Sequence, residues 1–430
     1  EAHDADNGRQ WEAGLAAIRP EQLAVLIYTA GTTGAPKGAM LSHANILAQV
    51  ENAAPLLGQT EADERLVFMP MAHVMERVLG LYLALYTRAV GDYVESVDTV
   101  AANLQEARPT VLAAAPFVWE RLHARISLGT GAATLAQRAL FRWAMAAGRR
   151  RADRLLAGRT VPAWTAAEAW LLGCLVLGNP RRELGLDRLR LALVGGAPVS
   201  AELVRWFMAF GVALTEIYGQ TECAGLAAVA GKAVPYGEVA APDGEVLVRG
   251  PHVFMGYWNR TRETGHALRD GWLHTGDLGT LANGRLTITG RRQDVITTRA
   301  GATVAAGEIE KEMKVSPYIA DAILFGDRRA HLSCLVMIDH DAVEKWAQAN
   351  NVAFTSFATL ARAERVRALI GAEIEQAAAR HGSPNAIRSF RLIEQKLEPE
   401  DPELTPVMKL RRGFVGEKYS GLIEEMYSDA

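Results

Sequence analysis

Short apolar runs alternate along the chain with stretches whose apolar residues recur every three to four positions. Leu23–Thr29 is apolar and runs into a Gly/Thr-rich stretch, which predicts a strand ending in a loop. Helical spacing follows over residues 44–53. Residues 103–112 read as a helix leading into a strand at 110–114, and residues 117–178, rich in Ala, Leu and Arg, as a helical excursion. Residues 189–194 form a short apolar run stopped by Gly195-Gly196-Ala197-Pro198. Ser200 then caps a predicted helix that runs to Phe210. Residues 245–248 and 286–289 read as strands of a more β-rich region. Past Arg291 the pattern restarts, with strands at 294–298, 320–325 and 332–338, a helix at 307–313, and long helices at 341–350 and 361–378. Alternation of this kind implies an α/β fold with a layered sheet, followed by a small α+β domain. We place the boundary near Gln293, giving domains over residues 1–292 and 293–430.

A chain of 430 residues is long enough for more than one core. Its 22% of charged residues and net charge of -3 give no reason to expect a nucleic-acid partner. Cys174, Cys223 and Cys334 are few and far apart, so a disulfide framework is not expected and a reducing, cytoplasmic setting fits. Residues 1–10 are polar and acidic, unlike a signal peptide. The longest apolar run, residues 171–177, is far shorter than the ~20 residues a bilayer span needs.

The densest chemistry lies in Tyr28-Thr29-Ala30-Gly31-Thr32-Thr33-Gly34-Ala35-Pro36-Lys37-Gly38. Glycines let backbone amides approach phosphate oxygens, hydroxyls donate hydrogen bonds, and Lys37 supplies a point charge. It is not a Walker loop, because Pro36 precedes the lysine and no Ser or Thr follows it. The alternative is a plain glycine-rich turn between a strand and a helix.

This loop resembles the phosphate loop of the adenylate-forming superfamily, which comprises acyl-CoA synthetases, luciferases and nonribosomal-peptide adenylation domains. Ala30 stands where that family usually has serine. The resemblance implies the adenylate-forming fold, a large layered α/β domain with a small mobile α+β domain. It also implies that Thr29, Thr32, Thr33 and Lys37 hold the β- and γ-phosphates of ATP. Further motifs follow in the family's order. Gly195-Gly196-Ala197 resembles its adenine-contacting turn. Tyr218-Gly219-Gln220-Thr221-Glu222 resembles Tyr-Gly-x-Thr-Glu, which puts Tyr218 and Gly219 at adenine, Thr221 on the α-phosphate and Glu222 on Mg²⁺. A hard cation bridging phosphates takes carboxylate oxygens, so the residue type suits the task. Gly271-Trp-Leu-His-Thr-Gly-Asp277 resembles Trp-x-x-Thr-Gly-Asp, in which Asp277 accepts from the ribose hydroxyls; Arg291 is expected to reach the same sugar. Gln293 stands at the family's hinge, where Lys or Asp is common. Residues 298–310 resemble the segment that swings to line the thiol entry, without its usual second glycine and proline. Leu404-Thr-Pro-Val-Met-Lys409 resembles the run that carries a mobile catalytic lysine.

The long-chain branch is indicated by Pro70-Met-Ala-His73-Val-Met-Glu76-Arg77 and by the helical excursion. In that branch His73 and the Gly195 turn border the acyl tunnel. The implied activity joins a long-chain fatty acid to coenzyme A through an acyl-adenylate, with ATP and Mg²⁺. Lys409, Thr221 and Glu222 are the expected catalytic residues. Two other readings stay open: transfer of the acyl group to a carrier protein, and a non-catalytic lipid- or nucleotide-binding relative. Arg142, Arg149, Arg150, Arg151 and Arg154, near Phe141, Trp143 and Leu155, suggest either a peripheral contact with an anionic inner membrane face or a solvated helix face. The region ahead of the phosphate loop and residues 229–244 are shorter than in the family, so part of the large domain's sheet is expected to be missing. Chain length of the acid and oligomeric state are left open.

Overall fold

The computed structural model describes residues 5–29, 36–96, 99–131, 133–381, 387–398, 401–405 and 409–428. Its largest sheet has seven strands, in the spatial order Val90–Tyr93, Glu64–Val67, Val111–Ala114, Leu191–Val194, Leu214–Tyr218, Ala228–Val229 and Lys232–Ala233. The first five run parallel and the last two turn back antiparallel. Val111–Ala114 is buried throughout, as expected of a strand covered on both faces.

Helix Ala201–Phe210 covers one face of this sheet. Its Ser200 cap accepts from the Glu202 amide, and Gly211 ends it at φ 95°. Its buried stripe of Leu203, Trp206, Phe207 and Phe210 meets Trp119, whose indole N–H donates to the Leu193 carbonyl. The excursion forms helices Pro116–Gly131, Leu135–Leu156 and Ala163–Leu175, as read from the sequence.

Three elements depart from the sequence reading. The loop after Thr29 does not lead into a helix. It joins two antiparallel strands, Leu23–Thr29 and Lys37–Ser42, in register Thr29 to Lys37. Lys37–Ser42 is a central strand because Gly256–Tyr257 pairs on its other side, a partner more than 200 residues away in sequence. Met75–Tyr82, for which no helix was read, is a π-helix. The helix expected over 361–378 is broken at Ala363, whose ψ of 126° separates Phe357–Arg362 from Glu364–Arg380.

The π-helix is organised by a buried ion pair. Arg65 lies 3.6 Å from Glu76, with their side chains 3% and 1% exposed, and Arg65 also donates to the Leu79 carbonyl. The other Glu76 oxygen accepts from the Met69 amide at 3.1 Å. Burial pushes the Glu76 carboxyl up from its ordinary range, opposed by the Arg65 charge. Arg77 donates to the Met71 carbonyl at 2.7 Å. Glu76 and Arg77 therefore have structural partners that shape the turn carrying His73.

A second sheet is built on the long hairpin Trp272–Ala282 and Arg285–Arg291, with Glu245–Arg249, Glu238–Ala240 and Leu268–Arg269 alongside. Beyond it come the hairpin Val295–Thr297 and Thr303–Ala305, helix Ala306–Met313, and a three-stranded sheet of Ile319–Phe325, Leu332–Ile338 and Ile387–Leu392. Among the described residues the buried apolar clusters lie within residues 27–286 or within residues 296–426. The two parts touch where Ser200 donates to Glu312 at 2.7 Å and where Lys314 meets Glu120 at 3.7 Å, both side chains of this pair being about nine-tenths buried. Burial pushes the Glu120 carboxyl up to about 7, with Lys314 opposing the shift.

His252 is fully buried, neither ring nitrogen has a hydrogen-bond partner, and burial drops it from 6.5 to about 4. The unfolded chain takes up this proton first as pH falls. The stability held by the neutral ring is therefore complete above pH 6.5 and is lost between 6.5 and about 4, on the order of 3 kcal/mol. Melting curves of His252→Leu should show a shallower decline across that interval than the parent; parallel declines would mean that other groups carry the acid sensitivity.

Candidate functional site

The parallel strands end together at one edge of the large sheet, the side where open α/β sheets place their ligands. Leu191–Val194 passes into Gly195-Gly196. A side chain at Gly195 would put its Cβ 2.6 Å from the Ile217 carbonyl oxygen, so the turn lies directly against the neighbouring strand. Leu214–Tyr218 passes into Gly219, where a Cβ would meet the Gly225 carbonyl oxygen at 2.4 Å. Only glycine allows the short helix Thr221–Cys223 to fold back this closely.

Tyr218 donates to Asp277 Oδ2 at 2.8 Å, and Arg291 Nε lies 3.2 Å from Asp277 Oδ1. Asp277 and Arg291 are direct cross-strand partners in the long hairpin, so their meeting follows from register. Burial lifts the Asp277 carboxyl above its ordinary range, with Arg291 and the Tyr218 hydroxyl opposing. Burial, then the Asp277 charge, holds the Tyr218 phenol well above its usual value, so it stays a donor. Glu245 fixes the approach to Asp277, accepting from the Gly276 amide at 3.2 Å and pairing with His274 and Arg292.

A second group adjoins the first through the Thr221–Cys223 turn. Glu222 is buried and accepts from the Tyr257 hydroxyl at 2.6 Å. The Lys37 ammonium lies 5.1 Å from the centre of the Tyr257 ring, within cation–π range. Tyr257 therefore links the lysine to the carboxylate. It was not singled out in the sequence, and only its pairing with Ala39 across the strands brings it here. Thr29 contacts the Lys37 carbonyl at 3.4 Å. Thr32 and Thr33 lie outside the described residues. Cys223 is buried, its thiol pushed up to about 12, which makes it an inert neighbour.

His73, Met69, Met75, Ala113–Ala115, Gly195, Gly196 and Ile217 line a narrow apolar cleft beside these groups. The Met75 amide donates to His73 Nδ1 at 3.3 Å, and burial lowers the ring's affinity for a proton, so His73 stands neutral. Ala197 and Thr221 are half-buried in the two turns. Lys409 is not among these residues. Its backbone bonds to Thr405, and Leu410 donates to Asp321, all within the small domain. Arg412 ties this run to Asp294 at 3.4 Å and to Glu310, next to Gln293 in the turn Arg292–Asp294. Among the described residues no three His, Cys, Asp or Glu side chains form a metal cage, so Glu222 stands as a single carboxylate.

A family model described as "AMP-binding enzyme" matches residues 2–258, and one described as "AMP-binding enzyme C-terminal domain" matches residues 293–430. The chain belongs to the AMP-binding enzyme family. Within this adenylate-forming family it falls in the long-chain acyl-CoA synthetase branch. It is 35% identical to the putative fatty-acid--CoA ligase fadD11 of Mycobacterium tuberculosis, over 97% of this chain and 76% of that protein. It is 34% identical to the long-chain-fatty-acid--CoA ligase FadD15 of Mycobacterium bovis, over 97% of this chain and 71% of that one. The long-chain-fatty-acid--CoA ligase ACSBG2 of Gallus gallus is 31% identical over 96% of this chain, which spans 59% of its length. Among solved structures, the adenylation domain of a carboxylate reductase from Mycobacterium chelonae superposes with a TM-score of 0.73, covering 95% of this chain and 60% of that chain. At 23% identity that likeness establishes the adenylate-forming fold alone.

Proposed function

We propose that the chain is an ATP-dependent long-chain fatty acid–CoA ligase with two half-reactions. In the first, a fatty-acid carboxylate oxygen bonds to the α-phosphorus of ATP, the bond to the β-phosphate breaks, and pyrophosphate leaves. In the second, the thiol of coenzyme A loses its proton to solvent, its sulfur bonds to the acyl carbon, and the bond from that carbon to the phosphate oxygen breaks, so that AMP leaves with the electron pair. The observation that carries the reading is the adjacency of Tyr218–Asp277–Arg291 and Lys37–Tyr257–Glu222 at one sheet edge. One group suits a nucleoside and the other a polyphosphate.

In this reading Asp277 and Arg291 take the ribose hydroxyls, and Tyr218, Gly219 and Gly195-Gly196-Ala197 frame the adenine. Thr29, Thr32, Thr33 and Lys37 hold the β- and γ-phosphates, and Thr221 the α-phosphate. The lone carboxylate of Glu222 fits a Mg²⁺ ion, which draws few ligands from protein and the rest from phosphates and water. Bound there, the ion would neutralise charge on the leaving pyrophosphate. His73 and Gly195 border the acyl chain. Gln293 is the hinge of a small domain that carries Lys409 into the site for adenylation. The observed arrangement, with Ala306–Met313 near the large domain and Lys409 bonded within the small one, would serve the thiol step. The substrates ATP and coenzyme A suit a cytoplasmic reaction.

Pyrophosphate release from ATP with fatty acids of rising length, with and without coenzyme A, tests the reading directly. Release that needs a long acid and speeds up with coenzyme A supports it; acid-dependent release indifferent to coenzyme A would point to another acceptor. Tyr257→Phe keeps the ring over Lys37 but removes the donor to Glu222. It should lower pyrophosphate release about ten- to a hundredfold, the worth of one hydrogen bond to a charged group at roughly 1.5–3 kcal/mol.

A further inference from the structure

Helix Ala163–Leu175 presents an outer face without a polar residue. Trp164, Ala167, Trp170, Leu171, Cys174 and Leu175 are all exposed, with Trp164 at 67%, Trp170 at 70% and Leu175 at 73%. These positions recur at helical spacing, so they form one stripe. Only Thr165, Leu172 and Gly173 of this helix are buried. An apolar stripe this continuous marks an interaction surface.

The surroundings identify the partner. Residues 135–175 hold seven arginines and two carboxylates. Both carboxylates are engaged within the protein, Asp153 by Arg205 and Glu168 by Arg150. Arg149 pairs with Glu202, and Arg154 reaches the Thr160 carbonyl. Exposed Arg142, Arg151 and Arg159 have no carboxylate within ion-pair distance among the described residues. The positive charge expected along the preceding helix is thus partly spent internally. Of the apolar residues read beside that charge, Phe141 packs into the core, while Trp143 and Leu155 are exposed and add to the apolar surface beside the stripe.

We propose that the outer face of Ala163–Leu175, with Arg142, Arg151 and Arg159 beside it, docks onto an anionic lipid surface. The helix lies along the surface rather than across it, because thirteen residues reach only about 20 Å against a ~30 Å hydrocarbon core. Exposed tryptophans and arginines are the residues such an interface selects. A second copy of the chain fits less well, since a self-complementary contact would bring two arginine-rich rims face to face. Its residues are distinct from those of the nucleotide site, and Leu135–Leu156 packs between it and helix Ala201–Phe210.

Cys174 lies on this face, while Cys223 and Cys334 are buried, so an environment-sensitive fluorophore can be placed on the stripe alone. The labelled chain is mixed with vesicles of phosphatidylcholine, with or without phosphatidylglycerol. The expected result is a blue-shifted, brighter probe and co-sedimentation with the anionic vesicles only, reversed by high salt. Arg142→Glu/Arg151→Glu, and separately Trp170→Glu/Leu171→Glu, should each weaken vesicle binding by at least about tenfold with unchanged circular dichroism. Absence of binding, binding that ignores both pairs of substitutions, or a probe shielded by concentration-dependent dimers without lipid would each overturn the proposal.

Discussion

Replacing Lys409 with alanine is expected to cut acyl-adenylate formation by about a hundred- to a thousandfold, the usual cost of one preorganised group facing charge that develops in the transition state. The second half-reaction should survive, because acyl-adenylate supplied directly needs only the nucleotide groups and the thiol path. Nothing in the fold should suffer either. Through its side chain Lys409 makes no hydrogen bond or ion pair among the described residues, and the run is anchored by Leu410 on Asp321 and by Arg412 on Asp294 and Glu310. Single-turnover assays of the two steps on one preparation separate these expectations. Equal loss in both steps, or full adenylation activity, would remove Lys409 from the proposed role.

The largest effect on stability is expected from Arg65→Met. It strands the Glu76 carboxylate in a site where its partner is the nearest counter-charge, a change that costs about 3–5 kcal/mol. The melting temperature should fall on the order of 10 °C. The pH dependence has a definite sign. Burial already raises the Glu76 carboxyl, and without Arg65 it rises further. A carboxyl raised in the fold contributes most below its unfolded value and loses that contribution as pH climbs through the folded one. The variant should therefore regain part of its deficit relative to the parent as pH falls from neutral toward the ordinary carboxylate range. Adding Glu76→Leu should restore most of the loss at every pH, since apolar replacement of a buried pair is often neutral. A deficit independent of pH would place the damage in the shape of the π-helix rather than in the charge.

Local signals carried much of this molecule. The buried runs at Val111–Ala114 and Leu191–Val194, the Ser200 cap and the apolar stripe of Ala201–Phe210 declare themselves within a few residues. The coupling of Asp277 with Arg291 comes instead from the register of a hairpin whose first strand, Trp272–Ala282, the apolar pattern does not announce, and motif resemblance alone put both residues at one sugar. Long-range pairing hid the rest. Lys37–Ser42 is a strand through its neighbours at Leu23–Thr29 and Gly256–Tyr257, and nothing within it tells strand from loop. Tyr257 enters the site by that same pairing. The π-helix depends on Arg65, a residue from a different strand. Motif resemblance supplied the list of candidate residues. Geometry adds which of them touch, and sets Lys409 apart from the others.

The contacts between the two parts bear on how easily they separate. Glu120 and Lys314 are both largely withdrawn from water at the seam. Parting them gives up an attraction but restores hydration to two charges, and the two terms are of similar size. Such a contact selects an orientation without gripping it. The seam then works as a detent, a position that is found reliably and left at small cost, which would suit the proposed turnover in which the small domain leaves and returns.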